Sequence, residues 1–310
     1  MALNLGQLRV FEAVVRAGSF SGAALRLSVT PPAVSLQIRQ LEQAHGVRLF
    51  DRVRRGVRLT PAGRRLAEYA QRIFALADDA LRALEETRSF ARGHLRLVAS
   101  ATAASYYLPP LLTRFRRRYP GIQVRLDVGN SQRVRERVLN LEDDLGVLGV
   151  EAQHPDLVSE RLAEDAMVVI VAPGHPWARR RAVPLAALAD QPLILREPGS
   201  GSRQLVERRL RAVGAAVRPA MEIASNEVIK RAVEMGNGVS LMSAAIVRRD
   251  VAAGHLRAVR LEDARLTRTI YLAYHRERGE SPLIRAVLLV ARGLRRPSRD
   301  PGRSGRRAGA

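Results

Sequence analysis

Apolar residues near the start of the chain recur at helical spacing. Leu8, Phe11, Val14 and Val15 fall on one face, and the run stops at Gly18. Ser19 or Ser21 can cap a second short helix, SGAALRL, whose Ala23 and Ala24 permit close helix packing. After the turn SVT, the stretch VTPPAVSLQIRQL (29–41) puts Val34, Ile38 and Leu41 on one face and turns Ser35, Gln37, Arg39 and Gln40 away from it. Thr30 reads as the cap, with Pro31 at the first helical position, where a missing N–H costs nothing. Pro32 disfavours helical geometry at Pro31, which predicts a start one residue late.

Two short helices, a tight turn and a third helix with a polar outer face make a helix-turn-helix. The Gly-bounded segment GVRLFDRVRRGVRLT then predicts two short strands with Arg54, Arg55 and Gly56 at the tip, a wing. Residues 61–92 hold no internal proline. They carry Leu66, Tyr69, Ile73, Ala77 (or Leu76), Ala80 and Leu84 in a heptad-like seam. Such a helix is about 45 Å long and needs a partner for its stripe, most simply its own copy.

From residue 93 the texture changes to strands alternating with helices. LRLVAS (95–100), QVRLDV (123–128), DLGVLGV (144–150), MVVIVA (167–172) and PLILRE (192–197) read as strands, as do AMEIAS (220–225), VSLMS (239–243) and TIYLAYH (269–275). Helical patterns lie near 106–119, 131–140, 201–213, 226–235 and 282–294, which predicts α/β units with mostly parallel sheets. The final stretch RRPSRDPGRSGRRAGA has nothing to bury and reads as a disordered basic tail.

Charge sharpens this picture. The 310 residues carry 52 Lys and Arg against 30 Asp and Glu, a net +22, and Lys230 is the single lysine. Over residues 1–65 eleven arginines face three acids, so the basic surplus coincides with the motif that would use it, pointing to double-stranded DNA as the partner. No apolar run approaches the ~18 residues of a membrane helix, and the N-terminus lacks a signal-peptide pattern. The absence of cysteine excludes disulfides and thiolate chemistry and fits a cytoplasmic location. There is no nucleophile elbow, Walker loop or H-E-x-x-H, and the six histidines are scattered singly, so neither an enzyme nor a metal or other cofactor is expected. A rival of a different class is a sequence-indifferent, nucleoid-like DNA coater.

The pattern F-x-x-V-x-x-x-GSF-S-x-AA-x-x-L, followed by AVS-x-QI-x-x-LE-x-x-x-G-x-x-LF-x-R and LTPAG, spans residues 5–66 and resembles the N-terminal domain of LysR-type transcriptional regulators. The resemblance implies an N-terminal all-α winged helix-turn-helix (1–60), a long dimerising linker helix (61–92) and an α/β two-lobed periplasmic-binding-protein-like effector domain (93–293). The basic tail is 294–310. The lobes would be 93–165 plus 267–293, and 166–266, with two crossover strands as hinge. It further implies DNA contacts from Pro31, Pro32, Ser35 and Arg54 or Arg55, with Thr30, Gln37, Arg39 and Arg52 beside them. Position 31 is commonly glutamine in the family, and Leu36 stands where a polar or basic residue is frequent; Pro31 cannot donate to a base. A homodimer or homotetramer, RNA polymerase and a small-molecule effector are the implied partners.

Three polar clusters fall where the resemblance puts the ligand cleft. Ser100-Ala101-Thr102, Gly199-Ser200-Gly201-Ser202-Arg203 and Ser225-Asn226-Glu227 each join a strand's C-terminal end to a helix N-terminus, where free N–H groups favour an anion. Arg196 and Arg203 could neutralise an acidic ligand. Asn130 and Gly149 complete the candidate set. They lie in VGN (128–130) and EDDLGVLGV (142–150), which with REPGSGSR and SNEVIKRAVEMGNGVSLMS look like the subgroup controlling Calvin-cycle carbon-fixation operons. That implies a phosphorylated or carboxylate metabolite as effector; subgroups for sulphur or nitrogen assimilation share much of this wording and remain the alternative.

Overall fold

The computed structural model describes residues 3–52, 56–88, 93–262 and 266–294. The chain divides into two units, Met1–Arg88 and a second that takes nearly all of the rest.

The first unit opens with α1 (Leu5–Ala17), α2 (Phe20–Leu27) and α3 (Pro31–His45). Asn4 caps α1 by accepting from the Gly6 and Gln7 amides, and Ser19 rather than Ser21 caps α2, accepting from Gly22 at 3.1 Å. Leu8, Phe11, Val14, Ala23, Ala24, Val34, Ile38 and Leu41 form the buried centre; Val15 packs only at its margin. Helix α3 starts at Pro31, not one residue late, and the Thr30 side chain makes no capping bond. The reason is local. Pro31 and Pro32 have no N–H to cap, and the next two amides, of Ala33 and Val34, are taken by the Thr30 carbonyl at 3.0 and 3.2 Å.

The wing strands β1 (Phe50–Arg52) and β2 (Val57–Leu59) pair antiparallel. Glu42, in the last third of α3, ties the wing down: its Oε1 accepts from the Leu49 amide at 2.7 Å and the Phe50 amide at 3.4 Å. Thr60 then starts α4 (Pro61–Arg88) by donating to the Arg48 carbonyl and accepting from the Gly63 amide. Gly63 is dictated by space, since a Cβ there would collide with the Leu49 carbonyl oxygen.

Helix α4 does not carry one seam along its length. Leu66 and Ile73 turn inward and, with buried Ala70 and Phe74, complete the core of this unit. Tyr69, Leu76, Ala77 and Ala80 stay exposed, so the partner-facing stripe is narrower than the sequence reading. The side chain of Leu84 lies outside the described residues. So do Arg54, Arg55 and the tail beyond residue 294.

The second unit begins with β3 (Gly93–Ser100), a π-helical turn at Ala103–Tyr107, α5 (Leu108–Arg118), β4 (Ile122–Gly129), α6 (Ser131–Leu139) and β5 (Leu145–Leu148). It continues through β6 (Leu157–Val171), β7 (Ala182–Val183), β8 (Leu193–Arg196), α7 (Gly201–Ala212), β9 (Pro219–Ile223), α8 (Asn226–Glu234), β10 (Ser240–Ser243), α9 (Ala244–Ala252), β11 (Arg257–Leu261), β12 (Thr267–His275) and α10 (Pro282–Leu294).

Strand β6, 15 residues long, organises the unit. Its first part, Leu157 to Ala166, pairs with β12 beside β5, β3 and β4, while Met167 to Val171 pairs with β10 and β11. Two lobes result, each with its own buried centre: one holds Leu97, Phe115, Leu145, Ile270 and Ile284, the other Val169, Trp177, Leu188, Leu205 and Leu241. The sheets are mixed, not mostly parallel. Strands β3, β4 and β5 run parallel, as do β8 and β9, but β12 and β6 oppose each other and their neighbours. A strand that crosses from one lobe and another that returns must be antiparallel. No described helix is long and apolar enough to cross a membrane.

Candidate functional site

The outer surface of α3 is the first candidate. Thr30, Pro31, Pro32 and Arg39 are exposed, Ser35 and Gln37 are half-buried, and Leu36 remains 50% exposed. The opening turn has no free N–H at residues 31 to 34, because two are prolines and two are bonded to Thr30. This helix end therefore cannot hold a phosphate through its backbone in the usual way, and its contribution must come from side chains. Arg39 folds back so that Nε lies 3.4 Å from the Ser35 carbonyl. Arg52 ends the first wing strand, opposite Val57; its side chain, like Arg54 and Arg55, lies outside the described residues.

The second candidate lies between the two lobes. Ser100, Thr102, Asn130, Ser200 and Ser202 line one narrow pocket together with Arg196 and Arg268. Arg203 and Asn226 join Thr102, Ser202, Arg196 and Arg268 around the adjoining pocket. The topology explains the convergence: Ser100 ends β3, Asn130 precedes α6, Ser200 precedes α7 and Asn226 opens α8, so strand ends and helix starts meet at one edge. Ser225 lines neither pocket. It caps α8, accepting from the Val228 amide at 3.4 Å. Gly149 also falls outside both and lines a separate cavity.

The lobes are shut on this cleft. Each pocket has only about 10 Å³ of free space, room for about one water. The Gln132 amide donates to the Gly199 carbonyl at 3.1 Å, and Asn130 Nδ2 donates to the Pro198 carbonyl at 3.3 Å. Two glycines make this approach possible. A Cβ on Gly201 would lie 2.7 Å from Ser131 Oγ, and one on Gly199, whose φ is +87°, would lie 2.9 Å from Gln132 Oε1.

The two arginines singled out from the sequence behave differently. Arg203 is engaged on three sides: Nε donates to Glu207 at 2.6 Å, Nη2 meets Glu222 at 2.9 Å, and Nη1 donates to the Arg196 carbonyl at 3.1 Å. The hydrogen bond to Glu222 raises its pKa and lowers that of Glu222. Arg203 is thus a brace between α7 and β9, not a free charge for a ligand. Arg196 is buried and held by Glu197 through Nε and Nη2, while Nη1 reaches Asn226 Oδ1 at 2.8 Å.

Arg268 is the residue the sequence reading missed. Its guanidinium, 7% exposed, lines both cleft pockets and is bound to Asp165, 1% exposed, through Nε and Nη2, each at 2.8 Å. Ser243 Oγ, from the second lobe, donates to the same carboxylate at 2.6 Å. Burial pushes the Tyr107 hydroxyl well above its ordinary pKa, aided by the Asp165 charge and a hydrogen bond to it. A signal was available: Arg268 shares its strand face with Ile270, and Asp165 shares one with Met167 and Val169, so both charges sit in buried register. Among the described residues no group of three or more His, Asp or Glu could hold a metal.

The profile of the bacterial regulatory helix-turn-helix protein, lysR family, matches residues 5–64, and that of the LysR substrate binding domain matches residues 88–294. A RuBisCO operon transcriptional regulator of Allochromatium vinosum is 37% identical over 282 residues, covering 91% of this chain and 93% of that protein. Full-length CbnR, solved in complex with its target DNA, aligns over 94% of this chain and 99% of its own with 25% identity and a TM-score of 0.68. The regulatory domain of CcmR from Synechocystis PCC6803, solved in complex with 2-PG, covers 66% of this chain and 97% of its own at 32% identity and a TM-score of 0.61. The two profiles between them span most of the chain, and with the 37% identity to the Allochromatium vinosum regulator they make this chain a member of the LysR family of transcriptional regulators.

Proposed function

We propose that the chain is an effector-switched regulator in which residues 1–60 read DNA, 61–92 pair two copies, and the cleft between lobes 93–165 plus 267–293 and 166–266 takes a small anionic metabolite. The observation carrying this reading is the convergence of Ser100, Thr102, Asn130, Ser202 and Asn226 on one cleft whose walls hold the guanidiniums of Arg196 and Arg268. Helix N-termini favour an anion there, while Arg196 and Arg268, already paired with Glu197 and Asp165, offer it donors on the cleft wall and no free charge. The likeness to a RuBisCO operon regulator and to a regulatory domain that holds 2-PG supports a phosphorylated or carboxylate effector and control of carbon-fixation genes.

In this reading recognition helices of a dimer, assembled further to a tetramer, enter successive major grooves about 34 Å apart. Ser35 contacts base edges or phosphate. Pro31 and Pro32 offer apolar contact, and discrimination there comes from neighbours or DNA shape. Effector entry must part the 130–132 and 198–201 segments, and their movement is passed to bound RNA polymerase through the seating of the dimers. The test is a footprint on the promoter beside the gene, with Thr102→Ala/Ser202→Ala and Ser35→Arg variants. The first should leave DNA binding intact and abolish the response to 2-PG and related anions; the second should abolish the footprint. An unchanged response or an unchanged footprint overturns the corresponding half.

A further inference from the structure

Arg268 has a second face. Besides the closed cleft it lines a separate cavity of about 320 Å³, which shares no other wall residue with the two cleft pockets. That volume is within the range of small-molecule sites, about 300–1,000 Å³. Arg135 from α6 and Arg208 and Arg209 from α7 stand around it, with the side chains of Thr269 and Tyr271 on its strand wall and Glu151 as its one acid.

The pairing of α7 sets these arginines apart. Glu207 takes both Arg203 and Arg211. Arg208 and Arg209, the next two residues and so turned away from Glu207, have no hydrogen-bond or ion-pair partner among the described residues, and neither does Arg135. Three unpaired guanidiniums around one cavity repel one another, which a bound anion would relieve. Each presents a planar fork of donors that fits phosphate oxygens two at a time. Gly149 leaves room for the Arg268 guanidinium at the wall: a Cβ there would lie 2.8 Å from its Nη1.

We propose that this cavity is a second ligand site, distinct from the effector cleft, that binds a small polyanion carrying at least two phosphate groups through Arg135, Arg208 and Arg209. Three guanidiniums that each bind two oxygens need about six acceptors, which two phosphate groups offer and one does not. The site goes beyond the cleft reading and does not depend on it.

The probe is inorganic pyrophosphate, titrated calorimetrically into the full-length protein at about 0.15 M salt, where diffuse surface attraction is screened. The expected result is saturable binding that Arg208→Ala/Arg209→Ala weakens about tenfold or more, with an unchanged melting temperature. Arg179→Ala/Arg180→Ala, which removes two exposed arginines elsewhere on the same unit, should leave the affinity unaltered. Glu151→Gln should tighten binding, an effect that damaged folding cannot imitate. Equal weakening by the two arginine pairs would mean diffuse charge and overturn the site, as would no binding, or an affinity that Arg208→Ala/Arg209→Ala and Glu151→Gln leave unmoved. Citrate bound more tightly than pyrophosphate would overturn the phosphate assignment. None of these outcomes bears on Thr102 or Ser202, so the cleft stands or falls separately.

Discussion

Arg268 gives two donors to a single oxygen of Asp165, and the two residues face each other across β12 and β6 at the point where β6 changes partners. Ser243 binds the other oxygen of that carboxylate from the second lobe. Asp165 is therefore the electrostatic pin of the hinge. Replacing it with alanine leaves a buried guanidinium without its carboxylate, for which the expected loss is about 3 kcal/mol. Urea unfolding should show it in the second unit alone, and Arg268→Ala/Asp165→Ala should recover part of the loss; a single variant as stable as the parent would refute the assignment.

The closed cleft gives a second expectation. Gly201→Val places a branched side chain against Ser131 and Val150, where even a Cβ is 2.7 Å and 3.0 Å from its neighbours. The lobes should separate locally, and the Gln132 amide, bonded to the Gly199 carbonyl, should exchange with deuterium at least tenfold faster. Amides deep in α10 should not change.

In the DNA-reading unit, Glu42 is the residue to test. Glu42→Ala strips the Leu49 amide of its acceptor, an expected cost of about 1–3 kcal/mol, whereas Glu42→Gln keeps an Oε1 acceptor and should retain most of the stability. Thermal unfolding of the N-terminal unit, followed beside promoter binding, checks both.

The Arg203–Glu222 contact predicts a pH effect with a definite sign. Because the hydrogen bond from Arg203 lowers the Glu222 pKa, folding favours the ionised carboxylate. The stabilisation is present above the ordinary carboxylate range and is lost as pH falls through the depressed value. Glu222→Gln should flatten the acid limb of a stability–pH profile; a limb of unchanged slope would show that the contact does not contribute.

Much of this was legible in the chain itself. The inward faces of α1 and α3 follow from Leu8, Phe11, Val14 and Val34, Ile38, Leu41, because an amphipathic helix carries its packing instruction locally. The polar clusters at Ser100, Ser202 and Asn226 were legible for the same reason: strand end and helix start are neighbours in sequence. What escaped were relations across long separations. Asp165 and Arg268 stand 103 residues apart, and neither looks unusual until the register of both strands is known. Arg203 could be read as a ligand charge because Glu222, its second acid, lies on β9, well beyond α7 in the chain. The double role of α4 was hidden because Leu66 and Tyr69 are equally apolar, and only the tertiary core decides which one is covered.

The uninterrupted course of β6 carries a practical lesson for anyone dissecting this regulator. Its first half closes a sheet whose remaining strands arrive both earlier and about a hundred residues later, so one lobe is an insertion within the other. Cutting the gene anywhere between the two crossover strands would strand a half-built sheet with a raw edge, prone to aggregate. A soluble first lobe calls for excision of the insert and a short loop joining the stump of β6 to β12; a simple stop codon will not deliver it.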